Sequence, residues 1–245
     1  MSIRFLKRLS LFFLVPCALL SCGDQKDEAD MVIMAYYVPG QADASDLPLE
    51  KLTHIIFSFT EVVDDKMEFR SPGAEQRLRS LVAEKRNHPD LEVMVACGGW
   101  GGSGGFSEMA ADPAKRKAFV ADAMSFIRNY DLDGLDMDWE YPGLPGNNNP
   151  HSPEDKENFT ALMKELREAM DATGKSLTLS FASAGWERYY DFVELNEVMK
   201  YADFMNIMTY DQLGGGSPRT GHHTNLMRAE GALRSAEAII DFCIA

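Results

Sequence analysis

From Met31 onward, apolar runs of strand length alternate with stretches whose apolar residues fall three and four apart. The runs predict six strands: Met31–Tyr37, His54–Thr60, Glu92–Gly98, Gly134–Glu140, Leu177–Ser183 and Asp203–Tyr210. Between the fourth and fifth, Ser152-Pro153 reads as a cap residue followed by proline at the first helical position. The helix it predicts carries Phe159, Leu162, Met163, Leu166, Ala169 and Met170 on one side. Asp112-Pro113 opens another in the same way, with Val120, Met124 and Ile127 on its apolar side. Near-continuous apolar strands separated by amphipathic helices predict an α/β fold with a parallel sheet covered on both faces. Two architectures fit, an open doubly wound sheet and a closed (β/α)8 barrel.

Composition narrows the function more than the fold. The 245 residues hold 24 basic and 38 acidic side chains, a formal charge of −14, with 45% hydrophobic residues. That apolar share fits a folded chain, and the excess of acid argues against a nucleic-acid partner, which needs a basic face. The length suits one domain or a modest pair. Four cysteines are too few for a disulfide scaffold, and no apolar run reaches the roughly 20 residues of a membrane span.

The N-terminus reads as an address. Arg4, Lys7 and Arg8 precede an apolar run from Leu9 to Leu20 that ends Leu19-Leu20-Ser21-Cys22, a charged region followed by a short hydrophobic one. Residues 1–21 are therefore expected to be a signal peptide. The ending resembles the lipobox of bacterial lipoproteins, which implies Cys22 as the lipidated first residue of the mature chain and 22–30 as a linker. Gln25-Lys26-Asp27-Glu28 is similar to the acidic tag that exports some of those lipoproteins to the cell surface. The expected location is thus the bacterial outer membrane or cell surface, with the lipid as the only membrane contact. Of the other cysteines in the mature chain, Cys97 lies in a strand pattern and Cys243 on a helical face, so no structural disulfide is expected.

Two glycine patterns follow the third strand. Gly99 to Gly104 fits G-x-G-x-x-G, and Gly101 to Gly105 fits G-x-S-x-G. A dinucleotide site or a nucleophile elbow needs a helix to open at once from such a turn. Here the helix signal waits until Asp112-Pro113, so the segment reads as a strand-to-helix loop.

The chemistry concentrates in Asp133-Gly134-Leu135-Asp136-Met137-Asp138-Trp139-Glu140-Tyr141-Pro142. Side chains alternate along a strand, so Asp136, Asp138 and Glu140 share one face, and Leu135, Met137 and Trp139 share the other. Acids two residues apart lie about 6.6 Å apart along the strand, close enough to push their pKa values apart. With the apolar side under helices, the acids face a barrel interior and Glu140 ends the strand, where barrel active sites sit. An edge strand fits poorly with Leu135, Met137 and Trp139 on the opposite face, and a calcium loop lacks glycine at the sixth position counted from Asp133. The five histidines show no H-E-x-x-H, and His222-His223 suits a loop, so no metal site is expected.

Asp133, Asp136, Asp138 and Glu140 form D-x-x-D-x-D-x-E, which resembles the signature of glycoside hydrolase family 18, the chitinase family. The resemblance extends through Tyr36-Tyr37, Thr53 to Phe59, Gly98-Gly99-Trp100 and Met208-Thr209-Tyr210-Asp211. It implies a (β/α)8 barrel, of which about six units are present from 31 to 245. It also implies a retaining hydrolysis of β-1,4-linked N-acetylglucosamine polymers, in which the substrate's N-acetyl group replaces an enzyme nucleophile. Glu140 is implied as the acid, Asp138 as the group that orients the N-acetyl, Asp136 as its proton-sharing neighbour, and Tyr210 as a donor to the acetamide oxygen. Tyr36, Phe59, Gly99, Trp100, Tyr141, Met208 and Asp211 are implied at the sugar sites, with no cofactor. Alternatives are a non-catalytic glycan-binding barrel and an endo-β-N-acetylglucosaminidase on N-linked glycans.

Two departures shape the expectation. Where the family usually has a serine that hydrogen-bonds the middle aspartate, this chain has Ala96, so Asp136 is expected to lack a partner. Six units leave two strands of a closed barrel unaccounted for, so the chain reads as truncated. Its last predicted element is a helix with Leu233, Ala236, Ile240 and Cys243 on the apolar face.

Overall fold

The computed structural model describes residues 31–40, 42–214, 217–228 and 234–245. The signal peptide at 1–21, the linker at 22–30 with Cys22, and Leu233 lie outside the described residues. Among the described residues seven strands form one sheet: β1 (Met34–Tyr37), β2 (His54–Val63), β3 (Lys66–Phe69), β4 (Glu92–Gly98), β5 (Gly134–Asp138), β6 (Thr178–Ala184) and β7 (Phe204–Met208). Six run parallel in the order β1-β2-β4-β5-β6-β7. The helices are α1 (Ala74–Ala83), α2 (Phe106–Ala111), α3 (Pro113–Tyr130), α4 (Asp155–Asp171), α5 (Leu195–Val198) and α6 (Ala236–Ile244).

Strand alternation sorts the side chains into two sets. Ile55, Phe57, Val93, Val95, Leu135, Met137, Leu179 and Phe181 are buried together with Leu78, Phe119, Phe159 and Leu162 of the covering helices. On the other face Ile56, Met94 and Ala96 form a small cluster with Met34 and Phe59. That inner face is curled. Tyr36 on the first strand and Asn206 on the last are 3.1 Å apart, hydroxyl to amide, although four strands separate them in the sheet. The sheet is therefore half of a parallel barrel rather than an open, doubly wound one.

Several local expectations are corrected. β3 was not foreseen: β2 runs on to Val63, and Asp64-Asp65, both at positive φ, turn the chain back as an antiparallel hairpin. β5 ends at Asp138, not Glu140, because the Glu140 amide turns to the Ser103 hydroxyl instead of a neighbouring strand. α2 opens directly after the glycine loop, where no helix was expected. α4 begins at Asp155 with Glu154 at its cap, so Ser152-Pro153 lies before the helix. Asp112 does cap α3, accepting from the Ala114 and Lys115 amides, worth about 1 kcal/mol. α6 buries Ala236 and Ile239, while Ile240 is exposed. Among the described residues Cys97 and Cys243 are free thiols.

Candidate active site

The acids sit where the inner face of β5 meets the strand's C-terminal end. Leu135, Met137 and Trp139 are fully buried under the helices, so alternation turns Asp136 and Asp138 inward. Asp133, the first acid of the series, stays at the strand's start. It accepts the Val93 amide at 2.8 Å and pairs with Lys85 at 2.8 Å, which makes it a strand tie.

Asp136 is completely buried and well supplied with donors. Ser180 donates at 2.6 Å and Asn206 at 3.1 Å to one oxygen, and Tyr36 donates at 2.9 Å to the other. The expected lack of a partner is thus wrong. Ala96 and Ser180 flank Asp136 in register on opposite sides, and the hydroxyl comes from β6. Burial still raises the Asp136 carboxyl above its ordinary range, against the pull of those three bonds. Asp138 is raised well above its ordinary value, by burial and by the Glu140 and Asp136 charges, and among the described residues its Oδ1 is buried with no partner.

Glu140 follows the strand on a backbone gripped from both sides. The Ser103 hydroxyl accepts its amide at 2.9 Å, and Asn149 donates to its carbonyl at 3.1 Å. Ser103 comes from the glycine loop and itself donates towards the Gly99 and Asp138 carbonyls. Gly98 has φ +118°, and a Cβ there would overlap the Asp138 carbonyl; the glycines thus let two strand ends close on each other. Past Glu140 the chain is tied by the buried Asp155, which accepts from Ser107 at 2.7 Å, Ser152 at 2.8 Å and Gly143 at 3.1 Å. The Glu140 carboxyl is mostly buried, and its pKa is raised by that burial and by Asp211, with a Tyr141 hydrogen bond pulling the other way. A group so placed holds its proton above the ordinary carboxylate range, as a general acid must.

Above the acids lies a cleft of about 600 Å³. Phe59, Trp100, Tyr141, Met208, Tyr210 and Asp211 from the predicted set line it together with Asp138 and Glu140. Phe59 reaches it because the β2–β4 register shifts between Ser58 and Thr60, leaving Phe59 as the extra residue of a bulge. Gly99 lies under the Phe59 ring. Tyr36 touches the site through its hydroxyl on Asp136 rather than from the cleft wall. Tyr210 is half-exposed, and burial with the surrounding carboxylates pushes its hydroxyl up to about 12, so it is a neutral donor at physiological pH. Asp211 meets His223 at 3.0 Å. Among the described residues no group of three His, Cys, Asp or Glu is arranged to hold a metal.

Sequence reasoning missed Ser103, Ser180, Asn206 and Trp186. Trp186 follows β6 at the Ala184-Gly185 exit and lines the cleft, its ring edge-on to Tyr141 at 5.5 Å. Its signal was available: an aromatic residue just past a strand's C-terminal end. The other three carry none that one sequence displays.

Comparison with known proteins gives the same family. Chitinase A1 of Niallia circulans is 40% identical over 149 residues, covering 58% of this chain and 21% of that protein. The endochitinase of Manduca sexta is 34% identical over 204 residues, covering 79% of this chain and 36% of the relative. A solved family 18 N-acetylglucosaminidase from Paenibacillus barengoltzii superposes with a TM-score of 0.78 at 37% identity, over 87% of this chain and 64% of that one. This chain thus spans between a fifth and two fifths of the two curated relatives' length. The sequence profile of the glycosyl hydrolases family 18 matches residues 32–244, nearly all of the described structure, and the chain belongs to that family.

Proposed function

We propose that the protein hydrolyses β-1,4-linked N-acetylglucosamine chains internally, with retention of anomeric configuration and with the substrate's own N-acetyl group as nucleophile. The observation that carries this reading is Glu140, whose backbone is held by Ser103 and Asn149 and whose carboxyl is raised by burial at the floor of an aromatic cleft. Glu140 gives its proton to the glycosidic oxygen as the bond to the anomeric carbon breaks. The acetamide oxygen closes on that carbon, forming an oxazolinium ion. Water then attacks from the face the leaving group vacated, returns a proton to Glu140, and reopens the ring.

The remaining residues have defined tasks. The unpartnered Asp138 Oδ1 accepts the acetamide N–H and balances the developing positive charge. Asp136, fixed by Ser180, Asn206 and Tyr36, adds its charge to burial and Glu140 in raising the Asp138 pKa. The Tyr210 hydroxyl donates to the acetamide oxygen. Trp100, Tyr141 and Phe59 offer rings to the apolar faces of the sugars.

A second reading, removal of single N-acetylglucosamine units from a chain end, is favoured by the likeness to the Paenibacillus barengoltzii enzyme. Mass analysis of chitotetraose products separates the two: disaccharide first means internal cleavage, and trisaccharide plus monosaccharide means end-trimming. Cleavage must vanish in Glu140→Gln. Intact substrate beside a cooperative melt would favour a glycan-binding protein, and cleavage of glycoproteins but not chitotetraose would favour action on N-linked glycans.

We also propose attachment to the bacterial outer membrane or cell surface through a lipid on Cys22, supported by Leu19-Leu20-Ser21-Cys22. Mass spectrometry of the mature N-terminus tests it: a lipidated Cys22 supports the anchor, and an unmodified N-terminus overturns it.

A further inference from the structure

A second hollow lies beside the cleft over Glu140. Gly185 and Trp186 line the cleft and also line this second cavity of about 440 Å³, whose wall adds Glu187, Arg188, Arg234 and Ser235. The two hollows therefore share one wall. Along that wall the aromatic rings are continuous: Trp100 lies 6.4 Å from Tyr141, Tyr141 lies 5.5 Å from Trp186, and the Arg234 guanidinium stands 5.9 Å from the centre of the Trp186 ring. A saccharide extended over these rings would reach the second cavity beside two guanidinium groups.

Those groups run against the charge of the chain. The chain carries a formal charge of −14, yet this cavity brings two arginines against one acid, Glu187. Among the described residues Arg188 and Arg234, like Arg77, Arg86, Arg128 and Arg219, have no carboxylate within 4.0 Å, but only these two line one cavity together. The start of α6, which also borders the cavity, has no spare donors. The Ala236 and Glu237 amides bind the Asn225 and Leu226 carbonyls, and the Ala238 amide binds the Ser235 hydroxyl. An anion in the cavity would be held by the arginines, and the planar fork of a guanidinium matches a carboxylate.

We propose that this second cavity is a saccharide subsite selective for a unit carrying a carboxylate, so that the preferred substrate is an acid-bearing N-acetylglucosamine glycan rather than a neutral one. The inference rests on the function proposed above and specifies its substrate class. A carboxylate could reach the cavity on an ether-linked lactyl group or as a uronic acid, and both are presented in the test.

Binding is measured by calorimetry with the Glu140→Gln chain, so that turnover does not intrude. The probes are chitotetraose, an N-acetylglucosamine–N-acetylmuramic acid tetrasaccharide, the same compound with its carboxylates converted to methylamides, and a hyaluronan tetrasaccharide. At least one acid-bearing probe is expected to bind tenfold or more tighter than chitotetraose, and the muramic probe, if it is the one, equally tighter than its amide. The preference should shrink as salt is added. It should disappear in Arg188→Gln/Arg234→Gln, with an unchanged thermal melt as the check on folding. Equal binding of acid-bearing and neutral probes by the arginine-bearing chain overturns the inference without any variant, and so does a preference that survives the double substitution. Chitotetraose cleavage by the unsubstituted chain without acid preference leaves the proposed function standing and removes only the subsite.

Discussion

Replacing Ser180 by alanine removes the shortest hydrogen bond to the middle aspartate and isolates the feature by which this chain makes up for Ala96. Ser180 is fully buried, and its hydroxyl lies 2.6 Å from an Asp136 oxygen that is itself cut off from water. A hydrogen bond to a charged group contributes about 1.5–3 kcal/mol, against about 0.5–1.5 kcal/mol when the acceptor is neutral. The cost of Ser180→Ala should therefore depend on the charge of Asp136. Burial places the folded Asp136 pKa above its ordinary value, so its favourable contribution is complete below the unfolded pKa and is lost as pH rises through the folded one. The Ser180 bond favours the ionised form, and removing it raises the folded pKa further and deepens that loss. Urea unfolding should show a deficit of about 1.5–3 kcal/mol above the titration of Asp136, shrinking to about 0.5–1.5 kcal/mol near pH 4. Turnover should fall too, since Asp136 tunes Asp138. Adding Ala96→Ser, in register with Asp136 on the opposite strand, should recover part of both losses. A deficit below about 0.5 kcal/mol, or one that does not change with pH, would refute this account of Asp136.

Other outcomes follow from the same geometry. Asp211→Asn removes a charge that raises the Glu140 pKa, so the alkaline limb of the kcat/KM profile should move to lower pH; an unmoved limb would mean that Asp211 does not face the acid. Ser103→Ala leaves the Glu140 amide and the Asp138 carbonyl short of a buried partner, which should cost about 1–3 kcal/mol in chemical unfolding and lower kcat more than it raises KM. Trp186→Ala should act in the opposite proportion, raising KM for chitotetraose while leaving kcat nearly unchanged, because its ring lines the cleft and is not assigned a part in proton transfer.

The order of strands, the acidic face of β5 and most of the cleft wall are legible in the sequence because strand alternation and strand-end position are local properties. Leu135, Met137 and Trp139 had to be buried for Asp136 and Asp138 to point inward, and the one-letter pattern states both. What stayed hidden depends on pairing across the sheet. Ser180 and Asn206 look like ordinary polar positions in two apolar strands; only the register Asp136↔Ser180 and the curl that brings β7 towards β1 make them partners of one carboxylate. The hairpin at Asp64-Asp65 was missed because its positive-φ turn lacks the glycine that usually marks one. The helix α2 was missed because six residues after a glycine loop hold too few turns to show a period. The Ser152-Pro153 signal lies a little early rather than astray: Ser152 accepts the Glu154 amide at 3.2 Å and Asp155 accepts the Ser152 amide at 2.8 Å, but the regular helix starts only at Asp155.

The central claim is that Glu140 works with the substrate's N-acetyl group to cleave the glycosidic bond with retention. Proton NMR of the reducing-end anomers formed in the first moments of chitotetraose cleavage tests it most directly. The account predicts the β-anomer first, equilibrating to the α-anomer only later, and no product of either kind from Glu140→Gln. An α-anomer appearing first, or a β-anomer still formed by Glu140→Gln, would contradict it.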